Sequence, residues 1–388
     1  MYNMDMDLIL DKYIFSYDEV NEFFNNLLAH PIYKEYIKLE DPIGITNFGY
    51  PINYYTLGSG PKDVLIICAT HGCELITVTY IINLVNQLLT KFSIYLNEYT
   101  FHIIPILNPE GYIISSSNVC FNIHLKNNYQ IEEIAKKYLK LYNLDDYLAL
   151  NLKNKTKKFY KSVLTTSTKL ICNKDLRESV ENILNSTNLD SKVLPIWSSN
   201  GVGIDPNANS IHKFKEMKKL RDDLKYWFLR YNDIRVDIPS PHSFPGYEAL
   251  DKLCPENISL YKLVNKLYKN NSNKTNNKRL VAFFSYHSTG GEIYGFPDKE
   301  LIDSKQYEFN LSGMNNYSMY TNYKTIDEKN KFGVMDYYRV FLKDVVTLTV
   351  ELSFFNGNPI GPYSNLNDVN LDISNNIYAM LQTLDMLI

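Results

Sequence analysis

His71 and Glu74 stand three residues apart in Val64-Leu-Ile-Ile-Cys-Ala-Thr-His-Gly-Cys-Glu74, where an apolar run gives way to a short turn. An imidazole and a carboxylate at that spacing, at the carboxyl end of a buried strand, can both reach one metal ion. Read alone, the pair is also what a surface turn before a helix looks like. Two later stretches add to it. Arg279 to Tyr286 is an apolar run ending in His287-Ser288, and Val345 to Leu352 carries Glu351 in an otherwise strand-like pattern. A lone histidine such as His287 is most often a hydrogen-bonded core residue. A carboxylate at Glu351 is costly to bury without a partner, and a cation would be that partner. Two histidines and one carboxylate, with a fourth position left to water, make the ligand set of a hydrolytic zinc site. A further glutamate is the usual base for that water.

These residues need elements that bring strand ends together. Asp63 to Ala69 reads as a buried parallel strand, Leu75 to Leu89 as a helix and Thr100 to Leu107 as the next strand. Strand, helix, strand in that order is a βαβ unit. The expected fold class is α/β, with a mixed, mostly parallel twisted sheet flanked by helices on both faces. Ligands in such sheets bind outside the carboxyl ends of strands.

Ahead of this unit, residues 1–42 read as an N-terminal helical extension. Ser16-Tyr-Asp-Glu19 is a capping box, and Val20, Phe23, Phe24, Leu27 and Leu28 follow at helical spacing. Residues 43–58 suggest an edge hairpin, and 43–388 the main domain. Residues 113–196 are rich in Asn, Lys, Ser and Tyr and read as an insertion, with helical pieces near 129–142 and 176–185. His212 to Tyr231 looks like a charged helix. Pro239-Ser-Pro-His-Ser-Phe-Pro-Gly246 is a loop ordered by three prolines. Asn270 to Lys278 is a polar turn, and 370–388 an amphipathic helix.

The chain has 388 residues, 45% of them hydrophobic and 21% charged, which is ordinary for a globular protein. A net charge of −3 gives no basic face, so no nucleic-acid partner is expected. Five dispersed cysteines argue against a disulfide framework. No signal peptide or membrane span is visible, so a cytoplasmic location is expected.

The ordered set His71-Gly-Cys-Glu74, Asn108-Pro-Glu-Gly-Tyr112, Gly203-Ile-Asp-Pro-Asn207, His287-Ser288 and Thr349-Val-Glu351-Leu resembles the zinc metallocarboxypeptidases over roughly residues 45–388. Trp197-Ser-Ser-Asn200, Tyr286 to Tyr294 and Phe355-Asn-Gly-Asn-Pro359 look most like the bacterial branch that cleaves γ-D-glutamyl-diamino acid bonds in peptidoglycan peptides. The resemblance implies one Zn2+ per chain held by His71, Glu74 and His287, with Glu351 as general base and proton shuttle. It implies that Asp205 orients the first zinc histidine, although the residue also reads as a turn former before Pro206. Asn207 and Ser288 would bind substrate, as would Tyr323, which reads equally as a surface aromatic. The implied partner is a peptide or muropeptide.

Three positions depart from the family. Cys73, Val202 and Ala208 stand where arginines are expected, and Arg230 or Arg235 would have to reach in to replace them. The expected activity is therefore hydrolysis of a peptide or γ-D-glutamyl amide bond rather than general carboxypeptidase action. A zinc acyl-amino-acid hydrolase and a non-catalytic descendant binding zinc or peptide are the alternatives.

Overall fold

The computed structural model describes residues 14–124, 166–210, 237–247, 252–271, 279–288, 290–296, 304–326, 333–352 and 366–387. Helix α1 (Tyr17–Ala29) starts at the capping box: Ser16 Oγ accepts the Glu19 N–H at 3.3 Å, and Glu19 Oε2 accepts the Ser16 N–H at 2.7 Å. That exchange satisfies two otherwise orphaned donors. Val20, Phe24 and Leu27 bury its inner face in the main core.

The chain enters the sheet earlier than its composition indicates. Strand β1 (Ile37–Leu39) precedes a separate two-stranded hairpin, β2 (Gly44–Ile45) and β3 (Pro51–Ile52), and pairs antiparallel with β4 (Tyr55–Leu57). Ile37 is buried in the core, and β1 is one edge strand of the main sheet, so sheet pairing begins within the stretch 1–42 expected as an N-terminal extension.

Strand β5 (Lys62–Ile67), helix α2 (Leu75–Thr90), the short α3 (Tyr95–Glu98) and β6 (Tyr99–Ile104) form the expected βαβ unit, with β5 and β6 parallel. Val64, Leu65, Ile66 and Ile67 are each 0% exposed, so β5 is covered on both faces. Full burial of one such side chain contributes about 1.5–3 kcal/mol. Helix α4 (Pro109–His124) follows, and its Tyr112, Ile114 and Val119 lie in the core. The start of the insertion expected at about 113–196 overlaps this helix. Helix α5 (Lys174–Thr187) matches the piece expected at 176–185. The pieces expected at 129–142 and 212–231 lie outside the described residues, as do Arg230 and Arg235.

The rest of the chain runs α6 (Pro255–Asn271), β7 (Arg279–Ser288), β8 (Glu292–Tyr294), α7 (Ser304–Thr321), β9 (Lys324–Ile326), α8 (Val334–Phe341), β10 (Val346–Leu352) and α9 (Leu366–Asp385). The strands order as β1-β4-β6-β5-β7-β10-β8-β9. β6, β5, β7 and β10 are mutually parallel, with antiparallel neighbours outside them. This is the mixed, mostly parallel α/β sheet expected. Val64 and Ile66 face one apolar core, which α1, α2, α4, α7 and α9 share; Leu65 and Ile67 face a second, with α6 and α8.

From β5 the chain passes to β6 on one side and later returns to β7 on the other. Strand order reverses around β5, and the crevice beyond the carboxyl ends of β5 and β7 is where such sheets hold ligands. Among the described residues, no helix is long and apolar enough to cross a membrane.

Candidate metal centre and active site

The turn after β5 is held from several directions. Ala69 takes a left-handed φ of 49°, unusual for a residue with a Cβ, and turns the chain out of the sheet. Its N–H donates to Thr77 Oγ1 at 3.0 Å, and the Thr77 hydroxyl donates to the Glu74 carbonyl at 2.7 Å. Gly72 lies against the backbone of Gly111 in α4, where an added Cβ would come within 2.1 Å of the Gly111 carbonyl carbon. Only glycine fits there. Glu74 is the residue before α2, yet its side chain does not cap the helix.

That carboxylate instead turns toward two imidazoles. Glu74 Oε1 lies 2.7 Å from His71 Nδ1, and Glu74 Oε2 lies 3.1 Å from His287 Nδ1. The second pair lacks hydrogen-bond alignment, so both atoms are buried without a hydrogen-bond partner. The two rings meet edge to face, with centroids 5.0 Å apart. Burial works to raise the Glu74 pKa, but His71 and His287 outweigh it and hold the carboxyl at about 2. One ligand atom from each of His71, Glu74 and His287 falls within 4.8 Å of the others. Two imidazole nitrogens and a carboxylate converging on one point, two of the atoms otherwise orphaned, fit a zinc ion.

Each imidazole is backed on its other nitrogen, as metal-binding histidines generally are. His71 Nε2 faces Asp205 Oδ1 at 3.3 Å, and His287 Nε2 lies 3.1 Å from Ser285 Oγ. Asp205 Oδ1 also accepts the N–H groups of Asn207 (2.9 Å) and Ala208 (3.2 Å), so it both shapes its own turn and steadies His71. Ser285 was not singled out in the sequence. It sits two residues before His287, on the same face of β7, and strand periodicity could have found it.

The loop carrying Asp205 rests on two buried carboxyls. Glu110 accepts the N–H groups of Phe48 (2.7 Å) and Gly201 (2.9 Å), while Glu256 Oε2 accepts from Asn200 Nδ2 at 3.2 Å. Burial and then Glu110 push Glu256 up to about 7. The unfolded chain therefore releases this proton from about pH 4.5, while the folded chain keeps it to about pH 7, and stability falls across that window. Glu256→Gln removes the titration. It is expected to shrink the stability difference between pH 5 and pH 8 by about 2–3 kcal/mol. Urea unfolding of both proteins at the two pH values measures this, and an unchanged difference would refute it.

Glu351 lies in β10, registered against His287 of β7 on one side and Glu292 of β8 on the other. Residues directly opposite on neighbouring strands share a face. Burial, then Glu74 and, more weakly, Glu292 raise the Glu351 pKa to about 7, against the opposing pull of His287 and His71.

The chain matches the family model for zinc carboxypeptidase, the M14 peptidases, over residues 33–353. The chain belongs to the zinc carboxypeptidase family. It is a zinc metallopeptidase, and its cofactor is one Zn2+, for which His71, Glu74 and His287 form the candidate site. No curated protein is similar to it in sequence. Among solved structures it is similar to bovine thrombin-activatable fibrinolysis inhibitor in complex with a tick carboxypeptidase inhibitor, with a TM-score of 0.59 and 13% identity over 97% of this chain and 98% of that one. It is also similar to carboxypeptidase A from Helicoverpa armigera, with a TM-score of 0.56 and 14% identity over 96% of this chain and 74% of that one. Identities this low show a shared fold.

Other expected site residues of this zinc carboxypeptidase are distributed unevenly. Tyr323 is a correction. Its ring is buried in the core under α7 and α9, and its hydroxyl is bound to both oxygens of Asp372, at 2.7 and 2.9 Å. A side chain held by burial and two hydrogen-bond contacts is not a mobile cover for substrate. Asn207 borders the start of α8, where its carbonyl accepts the Val334 N–H at 3.0 Å and its Oδ1 approaches the same N–H at 3.3 Å. Ser288 follows His287 at the end of β7, and its Oγ is buried without a hydrogen-bond partner among the described residues. Cys73 and Ala208 are buried, and Val202 is half-buried.

Proposed function

We propose that this zinc carboxypeptidase hydrolyses a peptide or γ-D-glutamyl amide bond in peptidoglycan-derived peptides, with Glu351 as general base. The observation that carries the hydrolytic reading is geometric: Glu351 of β10 is registered against His287 of β7, a member of the His71–Glu74–His287 cluster. A carboxylate within reach of metal-bound water is what proton transfer requires. The preference for γ-linked bonds rests on the motif resemblance and on Ala208, which leaves no arginine at that position to grip a terminal carboxylate.

A bound zinc would supply Lewis-acid polarisation of the scissile carbonyl and a water pKa lowered to about 7. His71, Glu74 and His287 would hold the ion, while Asp205 and Ser285 keep the two rings from turning. Glu351 takes a proton from the attacking water and delivers it to the nitrogen of the leaving amine. The C–O bond forms, the C–N bond breaks, and a carboxylate and an amine leave. Asn207 and Ser288 border the cleft and contact substrate.

Incubation with L-Ala-γ-D-Glu-diaminopimelate peptides, ordinary C-terminal peptides and N-acyl amino acids, followed by mass spectrometry, tests the reading. Cleavage is expected at the γ-D-glutamyl bond. Cleavage of N-acyl amino acids alone would indicate a deacylase, and cleavage of none would indicate a binding protein.

A further inference from the structure

Two rows of side chains cross β8, β10 and β7 beside the metal centre. The register places Glu292, Glu351 and His287 side by side in one row, and Tyr294, Thr349 and Ser285 in the adjacent row on the same face. The first row carries the proposed base and one metal ligand. The second row supports it: Ser285 Oγ lies 3.1 Å from His287 Nε2, and the Tyr294 hydroxyl donates to Glu292 Oε2.

Glu292 and Glu351 weaken the sheet where they meet, because like charges directly opposite on neighbouring strands repel. β8 joins β10 through only three residue pairs, Thr349 with Tyr294, Val350 with Ile293 and Glu351 with Glu292, so one pair in three opposes the join. Two backbone bonds steady the Glu351 end: the Gly291 N–H donates to the Glu351 carbonyl at 2.9 Å, and the Gly290 N–H to the Leu352 carbonyl at 3.3 Å. The other end is closed by Arg339 of α8, which is buried. Its Nη2 donates to the Tyr294 carbonyl at 3.0 Å and to Thr349 Oγ1 at 2.6 Å, and its Nε donates to the Thr347 carbonyl at 3.3 Å. Its Nη1 donates to Asp336 Oδ1 at 2.5 Å. A planar guanidinium is the side chain that serves four acceptors at once in fixed directions.

Asp336 carries the connection onward. Its Oδ2 accepts the Gly333 N–H at 3.0 Å, and the next residue, Val334, donates its N–H to the Asn207 carbonyl at 3.0 Å. The Asn207 N–H donates in turn to Asp205 Oδ1 at 2.9 Å, the oxygen that faces His71. One buried ion pair therefore joins the strand of Glu351 to the loop that backs His71. We propose that Arg339 is a positioning residue for the proton transfer. Through Tyr294 and Thr349 it holds β8 against β10, and so fixes the direction of the Glu351 carboxylate relative to the His71–Glu74–His287 cluster. The inference rests on the reading of Glu351 as general base.

Crystal structures of the zinc-loaded full chain, wild type and Arg339→Met, test this without turnover. The Glu351 carboxylate is expected to move by about 1 Å, or to split between two conformers, while His71, Glu74 and His287 keep their places and zinc stays bound. A misplacement of about 1 Å costs about 100-fold in rate, so kcat is expected to fall by about that factor with little change in KM. In a Glu351→Gln background the same substitution is expected to cost nothing further, because no base is left to misplace. A purely structural role would lower activity in both backgrounds alike. Removing one partner of a buried ion pair leaves a lone buried charge and strongly destabilises a fold. Should Arg339→Met not fold, Asp336→Asn combined with Arg339→Met, which leaves no such charge, is measured in its place with the same expected displacement. An unmoved Glu351 carboxylate would overturn the proposal, as would equal losses in the two backgrounds. A wild-type chain that cleaves nothing refutes the peptidase reading alone, since the two crystal structures still decide whether Arg339 holds Glu351 in place.

Discussion

Glu351→Gln is expected to lower kcat about 100- to 10,000-fold, the range a positioned acid or base contributes, while the protein keeps one zinc per chain. The two carboxylates of the centre are chemically alike but are set apart by their neighbours. Glu74 sits between two imidazoles and is held at about 2, so it stays ionised and suits a cation. Burial and the charge of Glu74 raise Glu351 to about 7, so it suits a proton. A bound cation draws Glu351 below that value by favouring its ionised form. The acid limb of the kcat/KM profile is therefore expected below pH 7, rising as Glu351 loses its proton, and it should be absent from any residual activity of the glutamine variant. Rapid-quench or steady-state kinetics beside metal analysis measures both. Unchanged turnover in the variant would show that the base is another group.

His287→Ala is expected to abolish stoichiometric zinc and reduce hydrolysis to background. Loss of a partner behind a ligand typically lowers metal affinity about 10–100-fold, and loss of the ligand itself should exceed that. His287 is buried at the end of a core strand, and its removal leaves Glu74 Oε2 and Ser285 Oγ facing an empty space. A buried group left without its partner costs about 1–3 kcal/mol, so the variant should fold but melt earlier. Elemental analysis after dialysis against a chelator, with circular dichroism to confirm folding, reads the outcome. One zinc per chain in a folded variant would refute the ligand assignment. The two substitutions are complementary: one removes turnover with the metal kept, the other removes the metal.

Much of this architecture is written in local pattern. β5, β6 and β7 are largely apolar runs because burial on both faces of a sheet demands it, β10 alternates apolar with polar residues, and α2 has helical spacing. The capping box of α1 is legible for the same reason, since its two hydrogen bonds involve residues three apart. The three-residue strands β1, β8 and β9 are not legible. Too short for a period, they exist because a neighbouring strand offers its edge. The expected boundaries at 42 and 113 fall just after β1 and inside α4, where sheet pairing and core packing, which composition does not record, decide where the elements end.

The sequence by itself determined which residues could make the centre, two histidines and two glutamates, and the family resemblance implied three as ligands and Glu351 as base. Tertiary structure supplied the physical ground for that division. The reversal of strand order around β5 brings His71 and His287 together, and proximity to one imidazole pair or to another carboxylate separates ligand from base. It removed Tyr323 from the cleft by packing it in the core, and it brought the start of α8 to Asn207 through a backbone hydrogen bond between segments far apart in the chain. Those contacts depend on geometry between distant segments, and residue type carries no record of them.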